Sequence, residues 1–360
     1  MTGINKSDFP LSIVAGKSAY EALQQNGWDP SQFSALIGAS GGAKLLGIAH
    51  LDRFLFGDYL QRSNHTMSLY GSSIGAWRHA ALAGPNPLEA IIELQYRYLN
   101  QDWDENDQRS RTQVVDSLCR WIIDGVIDKE KAASICSHPR FTTHIVTARG
   151  RGLNSHRYPF SVGTGMTLGA IGNLVKRSNL SFFFQRVVFT AGGKHDFKFQ
   201  DFQTYHAELK AEDLRTVLLA SGAIPFLMSS KQNIQGAPRG LYWDGGIIDY
   251  HFDFDNHHSD GLALYPHFSA EIIKGWFDKS IPWRRNSATS LDQVVIISPS
   301  KSYLANLPYN KIPDRKDFAR MSKSERKSYW NKAVDASQRL AEAFASVVEA
   351  ENPAAQVIPL

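Results

Sequence analysis

Short apolar runs separated by glycine, proline and polar clusters predict a chain in which strands alternate with helices. Phe33-Ser34-Ala35-Leu36-Ile37 is the first clear strand signal, followed by the glycine loop Gly38-Ala39-Ser40-Gly41-Gly42-Ala43-Lys44 and an apolar helix over 45–51. The same order of strand, sharp glycine corner and helix recurs at Leu69-Tyr70-Gly71-Ser72-Ser73-Ile74-Gly75-Ala76-Trp77, and the small-residue helix that follows stops at Gly84-Pro85. Residues 87–138 read as helical. Leu88, Ile91, Ile92, Gln95 and Leu99 fall on one side of a first segment, and Val114, Leu118, Trp121 and Ile122 on one side of a second, with the polar run 100–111 between them. Further strands are expected over 141–148, 182–190, 262–265 and 294–298, whereas the glycine-rich stretch 150–172 reads as a flexible loop system. A helix is expected to open at Lys210, with Glu212 and Asp213 in its first turn, and to stop at Pro225. Near the end, Trp330, Ala333, Val334, Ser337, Leu340, Ala341, Phe344, Val347 and Val348 repeat at helical spacing and predict one closing helix docked on the body. The pattern is that of an α/β protein: one domain over about residues 30–300 with a helical insertion at about 87–138, then a basic connection and C-terminal helix over 301–360.

Composition narrows the classes without changing that outline. A 360-residue chain with 43% hydrophobic content can bury a full core, and 27 glycines with an 11% aromatic share fit a compact enzyme with many turns. The net charge of +4 tolerates an anionic surface, but no basic stripe interleaved with aromatics is present, so nucleic acid is not expected as a partner. Cys119 and Cys136 are too few for a disulfide framework or a thiolate zinc cluster and fit a reducing compartment. The first 20 residues lack the basic and long apolar regions of a secretory signal, and no apolar run reaches the roughly 18 residues of a membrane span. A cytoplasmic protein is expected, at most peripheral at a membrane.

Two stretches carry candidate chemistry. In Gly71-Ser72-Ser73-Ile74-Gly75 a serine sits on a strand-to-helix corner, where its hydroxyl projects from the sheet edge and the flanking glycines leave room for an acyl group. In Leu241-Tyr242-Trp243-Asp244-Gly245-Gly246 an apolar strand delivers an acid into a Gly-Gly turn. Taken alone, Asp-Gly is more simply a turn signal, and the Gly41-Gly42 loop more simply a tight approach of backbone to a helix. That loop also leaves backbone N–H groups free to bind a phosphate or an oxyanion. The phosphate version fails on spelling, because Ala43 precedes Lys44 and Leu45 follows it where a P-loop needs Gly-Lys-Ser/Thr. The glycine spacing does not suit a dinucleotide either. Asp102, Asp104, Glu105 and Asp107 lack the spacing of a calcium loop and read as a solvated linker. His251, Asp253, Asp255, His257 and His258 alternate with Phe252 and Phe254 as a loop or edge strand would, and no HExxH helix or thiol supports a metal there. Residues 311–327 hold seven basic and three acidic side chains, read as a solvated connection with a weaker option of touching anionic headgroups.

The glycine loop, Ser73 and Asp244 occur in that order, with the acid 171 positions after the serine, and Ala220-Ser221-Gly222-Ala223-Ile224-Pro225 lies shortly before it. This set resembles the patatin-like phospholipase family over about residues 35–250. The resemblance implies a three-layer α/β/α sandwich around a mostly parallel sheet and a lipid acyl hydrolase of phospholipase A or lysophospholipase type, without cofactor or metal. It implies Ser73 as nucleophile, Asp244 as its base, Gly41 and Gly42 as the oxyanion hole, and Lys44, Gly71, Gly75, Gly245 and Gly246 as supporting residues. The expected partner is a lipid or acyl-ester substrate, with peripheral membrane contact following from it. Ser40 and Leu45 stand where the family usually has glycine. Two other readings remain open: an α/β-hydrolase triad completed by His251, His257, His258 or His267, and a lipid-binding protein that keeps the fold without turnover.

Overall fold

The computed structural model describes residues 8–104, 106–192, 199–254 and 261–360. Its strands are β1 (Leu11–Ala15), β2 (Phe33–Gly38), β3 (Met67–Ser72), β4 (Phe141–Gly150), β5 (Phe184–Thr190) and β6 (Thr204–Glu208). They continue with β7 (Lys231–Gln232), β8 (Leu241–Asp244), β9 (Leu262–Pro266), β10 (Val294–Pro299) and β11 (Val357–Pro359). The helices of the first half are α1 (Lys17–Asn26), α2 (Ala49–Gly57), α3 (Ile74–Leu82), α4 (Pro87–Leu99), α5 (Arg111–Val126) and α6 (Lys129–Cys136). Those of the second half are α7 (Pro159–Val175), α8 (Leu214–Ser221), α9 (Lys301–Ala305), α10 (Asp317–Arg320), α11 (Lys323–Ala336) and α12 (Gln338–Val348).

The strands form one sheet in the order β11-β1-β10-β9-β2-β3-β4-β5-β6, with β8 added against β4 and β7 against β8. The β9-β2-β3-β4 centre is parallel throughout, while β1/β10, β4/β5, β4/β8 and β7/β8 pair antiparallel. Helices cover this mostly parallel sheet to give the expected three-layer α/β/α sandwich. Every residue of β3, β5 and β10 is buried, which is why those strands read as continuous apolar runs instead of alternating ones.

Several expectations need correction. The stretch 150–172 is not a loop system, for most of it is α7, a 17-residue helix opened by Pro159. Its glycines weigh against a helix by propensity, but Gly165 is needed for packing: a Cβ there would stand 2.5 Å from Asn154 Oδ1. The buried side of α4 is Ile91, Leu94, Gln95 and Leu99, so Leu88 and Ile92 face outward, as does Trp121 on α5. The helix expected from Lys210 starts at Leu214, after its two acids, and ends at Ser221, before Pro225. The closing helix is broken into α11 and α12 at Ser337. The Ser337 hydroxyl accepts from the His50 amide and donates to the Val334 carbonyl, which fixes the joint. Residues 251–254 form no edge strand and have no exposed polar face, since all four are buried. The basic run 311–327 is solvated in part, with Arg315, Lys316, Arg320 and Lys323 exposed, but it is also tied to the body. Lys311 pairs with Asp314 and Asp317, Lys323 and Lys327 pair with Asp102, and the Arg326 guanidinium lies against Trp103, Phe318 and Trp330.

Candidate active site

Ser73 occupies the corner between β3 and α3 with φ 55° and ψ −127°, a conformation that a side-chain-bearing residue rarely adopts. Close packing enforces the corner. A Cβ at Gly75 would stand 2.0 Å from the Gly38 carbonyl oxygen of β2, and one at Gly71 would stand 2.5 Å from the Ala76 Cα. The two glycines therefore let α3 start directly against the sheet, with the serine at its first turn.

Strand register brings the acid to the same place. Ser72 of β3 lies beside Val146 of β4, and the next β4 residue, Thr147, pairs with Asp244 at the end of β8. Ser73 Oγ donates to Asp244 Oδ2 at 2.9 Å, and the Gly246 amide donates to Oδ1 at 2.7 Å. Both side chains are nearly sealed, with Ser73 8% and Asp244 6% exposed. Burial pushes the Asp244 carboxyl up to about 6, against the opposing pull of its hydrogen bonds to Gly246 and Ser73. Gly245 allows this turn to sit on the sheet, because a Cβ there would stand 2.2 Å from the Val146 carbonyl oxygen.

The Ala220–Pro225 run holds both partners from behind. Ser221 Oγ accepts from the Ser73 amide at 2.8 Å and donates to the Val146 carbonyl at 2.7 Å, while the Ala223 carbonyl accepts from the Asp244 amide at 2.9 Å. In the sequence Ser221 is one member of the Ala220–Pro225 run, with no role of its own assigned. Its bridging hydroxyl depends on three segments far apart in the chain, which no local pattern reports.

The glycine loop lies on the other side of the serine. Gly42, at φ 57°, lines the same cavity of about 970 Å³ as Ser73. The first helical hydrogen bond after the loop runs from the Lys44 amide to Gly41, so no earlier amide of that turn has a helical carbonyl to donate to. Gly41 packs on Phe268, whose ring would lie 2.6 Å from a Cβ there, and the Lys44 ammonium stands 4.4 Å above the centre of the same ring. Burial holds the Lys44 ammonium below its ordinary range. The serine at position 40 is used: its hydroxyl donates to Ser72 Oγ at 3.0 Å, and a Cβ on Gly246 would stand 2.6 Å from it. Leu45 is part of the core.

Other candidates are not gathered here. His251 Nδ1 accepts from the Ile273 amide and His267 Nδ1 from the Ser269 amide, and burial keeps both rings neutral, with His267 pushed down to about 3. Among the described residues no histidine hydrogen-bonds to Ser73 or Asp244. Asp253 pairs with Lys274 and Arg177. Glu105, Asp255, His257 and His258 lie outside the described residues. Among the described residues no cluster of three metal-ligating side chains occurs.

The cavity wall extends the Ala220–Pro225 run with residues that the motifs did not single out. Ile224, Pro225, Phe226, Leu227 and Met228 form an apolar side, and Arg315 and Lys316 bring cations from the basic run. Lys279 joins Arg315 as a cation acting on Asp244, its ammonium 3.9 Å above the Tyr250 ring and pushed down to about 8 by burial and by Lys44.

A family model described as patatin-like phospholipase matches residues 38–251, a span that contains the glycine loop, Ser73 and Asp244. No curated protein matches the chain.

Proposed function

This chain belongs to the patatin-like phospholipase family, and on that premise we propose that Ser73 and Asp244 form a catalytic dyad that cleaves fatty-acyl esters through an acyl-enzyme. The family's chemistry is that of a lipid hydrolase, so the substrate is a lipid. The observation that carries the dyad is the buried 2.9 Å hydrogen bond from Ser73 Oγ to Asp244 Oδ2. A carboxylate with a pKa near 4 is a poor base for a hydroxyl, and a carboxyl raised to about 6 is better matched to the task while still ionised at neutral pH.

In the first half-reaction Asp244 takes the Ser73 proton as Oγ attacks the ester carbonyl carbon. The carbonyl oxygen becomes an oxyanion facing the amides around Gly41 and Gly42, and collapse of the intermediate expels the alcohol with the proton returned by Asp244. In the second half water attacks the acyl-serine as Asp244 takes its proton, and collapse breaks the bond to Oγ, returns that proton to Ser73 and frees the fatty acid. The apolar wall from Ile224 to Met228 suits the acyl chain, and the cations Arg109, Arg111, Arg315 and Lys316 outnumber the carboxylates Asp104 and Asp107 in the lining, which favours a phospholipid or lysophospholipid over a neutral glyceride.

The test is hydrolysis of a phosphatidyl ester and of a matched neutral glyceride. Wild type is expected to release fatty acid from both and to prefer the phospholipid. Ser73→Ala is expected to abolish release, and Asp244→Asn to lower kcat by about 10²–10⁴-fold. Unchanged turnover in either variant would remove the dyad.

A further inference from the structure

The helix α7 has its polarity reversed. The face turned to the body carries Val162, Gly165, Gly169 and Asn173, which are buried, whereas Phe160, Leu168, Ile171, Leu174 and Val175 recur at helical spacing on the outside. Phe160 is 87% exposed and Val175 76%. No ionisable residue occurs anywhere in the helix. A helix on the surface of a globular protein normally shows the opposite arrangement, so this one needs a covering for its apolar face.

We propose that α7 is the segment by which the protein lies on an anionic bilayer, sunk parallel to the membrane plane with its outer face among the acyl chains. The inference rests on the lipid-hydrolase reading above and names the surface from which that site is fed.

Charge identifies the covering. Residues 131–195 contain no Asp or Glu, and exposed Arg157 and Lys176 stand immediately before and after the helix. The helix between them is about 26 Å long, at 1.5 Å per residue. In α7 the cations stand at the two ends instead of along the polar face, where they can meet acidic headgroups while the apolar side chains enter the boundary below. Trp283, 73% exposed, enlarges the patch beside the C-terminal end, where the adjacent Arg284 donates to the Leu174 carbonyl.

The patch also adjoins the site. Phe226 lines the Ser73 cavity, is 59% exposed, and lies close enough to α7 that a Cβ on Gly163 would stand 3.8 Å from its ring. Val162 and Met166 of α7 share a hydrophobic cluster with Trp276, another cavity residue. A lipid leaving the bilayer at α7 thus meets apolar side chains up to the cavity.

Co-sedimentation of the full-length protein with vesicles tests the proposal, using phosphatidylcholine alone and phosphatidylcholine mixed with phosphatidylglycerol. The Ser73→Ala protein is run alongside, so that binding is read apart from turnover. Both are expected to bind the mixed vesicles more tightly than the neutral ones. The triple variant Phe160→Ser, Ile171→Ser, Val175→Ser is expected to lose at least about tenfold in binding. It should keep wild-type hydrolysis of a short, water-soluble ester, which shows that it is folded. Arg157→Gln with Lys176→Gln is expected to erase the preference for phosphatidylglycerol. Wild-type vesicle binding by the triple variant would overturn the proposal, as would failure of the parent proteins to bind either vesicle. A self-association of the parent in solution that the triple variant loses would assign the face to a second copy and overturn it equally.

Discussion

At the scale of the residue, the site rests on a carboxyl held against its solvation preference. Asp244 is shifted from 3.8 to about 6, and burial is the cause. The raised value means that the folded protein binds this proton more tightly than the unfolded chain does. Stability from this group is therefore complete below pH 3.8 and is lost as pH rises through about 6, amounting to about 3 kcal/mol at 1.36 kcal/mol per unit. Asp244→Asn is accordingly expected to be more stable than wild type at pH 8 and to lose that advantage near pH 4, while turning over substrate far more slowly. Urea unfolding at the two pH values checks this, and equal stability differences at both would refute it. The corner at Ser73 and the Gly-Gly turn after Asp244 were legible in the sequence because their backbone demands are spelled in neighbouring residues, whereas the link between them came only from the family resemblance. Ser221, which orients the Ser73 amide, and Ser40, which ties to Ser72, were not, because each acts across segments distant in the chain.

At the scale of the element, the corner works only if β2 and α3 touch. Gly75→Ala places a methyl 2.0 Å from a backbone oxygen that has no rotamer by which to withdraw. A loss of about 3 kcal/mol or more is expected, at the upper end for overpacked cores. Gly152→Ala is the control: φ there is also positive, at 55°, but nothing lies within 4 Å of the added atom, so a loss of about 1 kcal/mol is expected from the backbone alone. Chemical denaturation of the two variants distinguishes contact from conformation, and equal losses would contradict the packing account. Strands buried on both faces were legible as apolar runs. The helix α7 was not, because its glycines read as flexibility when they are in fact what lets Asn154 and Phe183 approach it. The joint at Ser337 was missed for a related reason: apolar spacing runs through it, and only the hydroxyl's bond to His50 marks the break.

At the scale of the whole molecule, a buried ion network ties the outer strands to the turn that carries Asp244. Arg186 on β5 donates to Asp249 at 2.7 Å and to Asp201 at 2.7 Å, and Arg177 reaches Asp201 and Asp278. Removing Arg186 leaves the fully buried Asp249 short of its main partner. Arg186→Met is expected to destabilise the fold by about 3–5 kcal/mol, measured as a lower urea midpoint. An unchanged midpoint would show that the network carries no net stability. The α/β class and sheet-forming runs were readable from pattern alone, but strand order was not, since it depends on pairings such as β4 with β8 that bring residue 147 to residue 244. We propose that Ser73 is a nucleophile activated by Asp244 without a histidine. The most direct measurement of this is the rate of Ser73 modification by a fluorophosphonate as a function of pH, with the adduct located by mass spectrometry. One adduct is expected, on Ser73, with a rate that rises through a single ionisation at about pH 6, collapses in Asp244→Asn, and is unaltered by alanine at His251, His257, His258 or His267. An adduct elsewhere, or a rate abolished by any one of those histidine replacements, would contradict it.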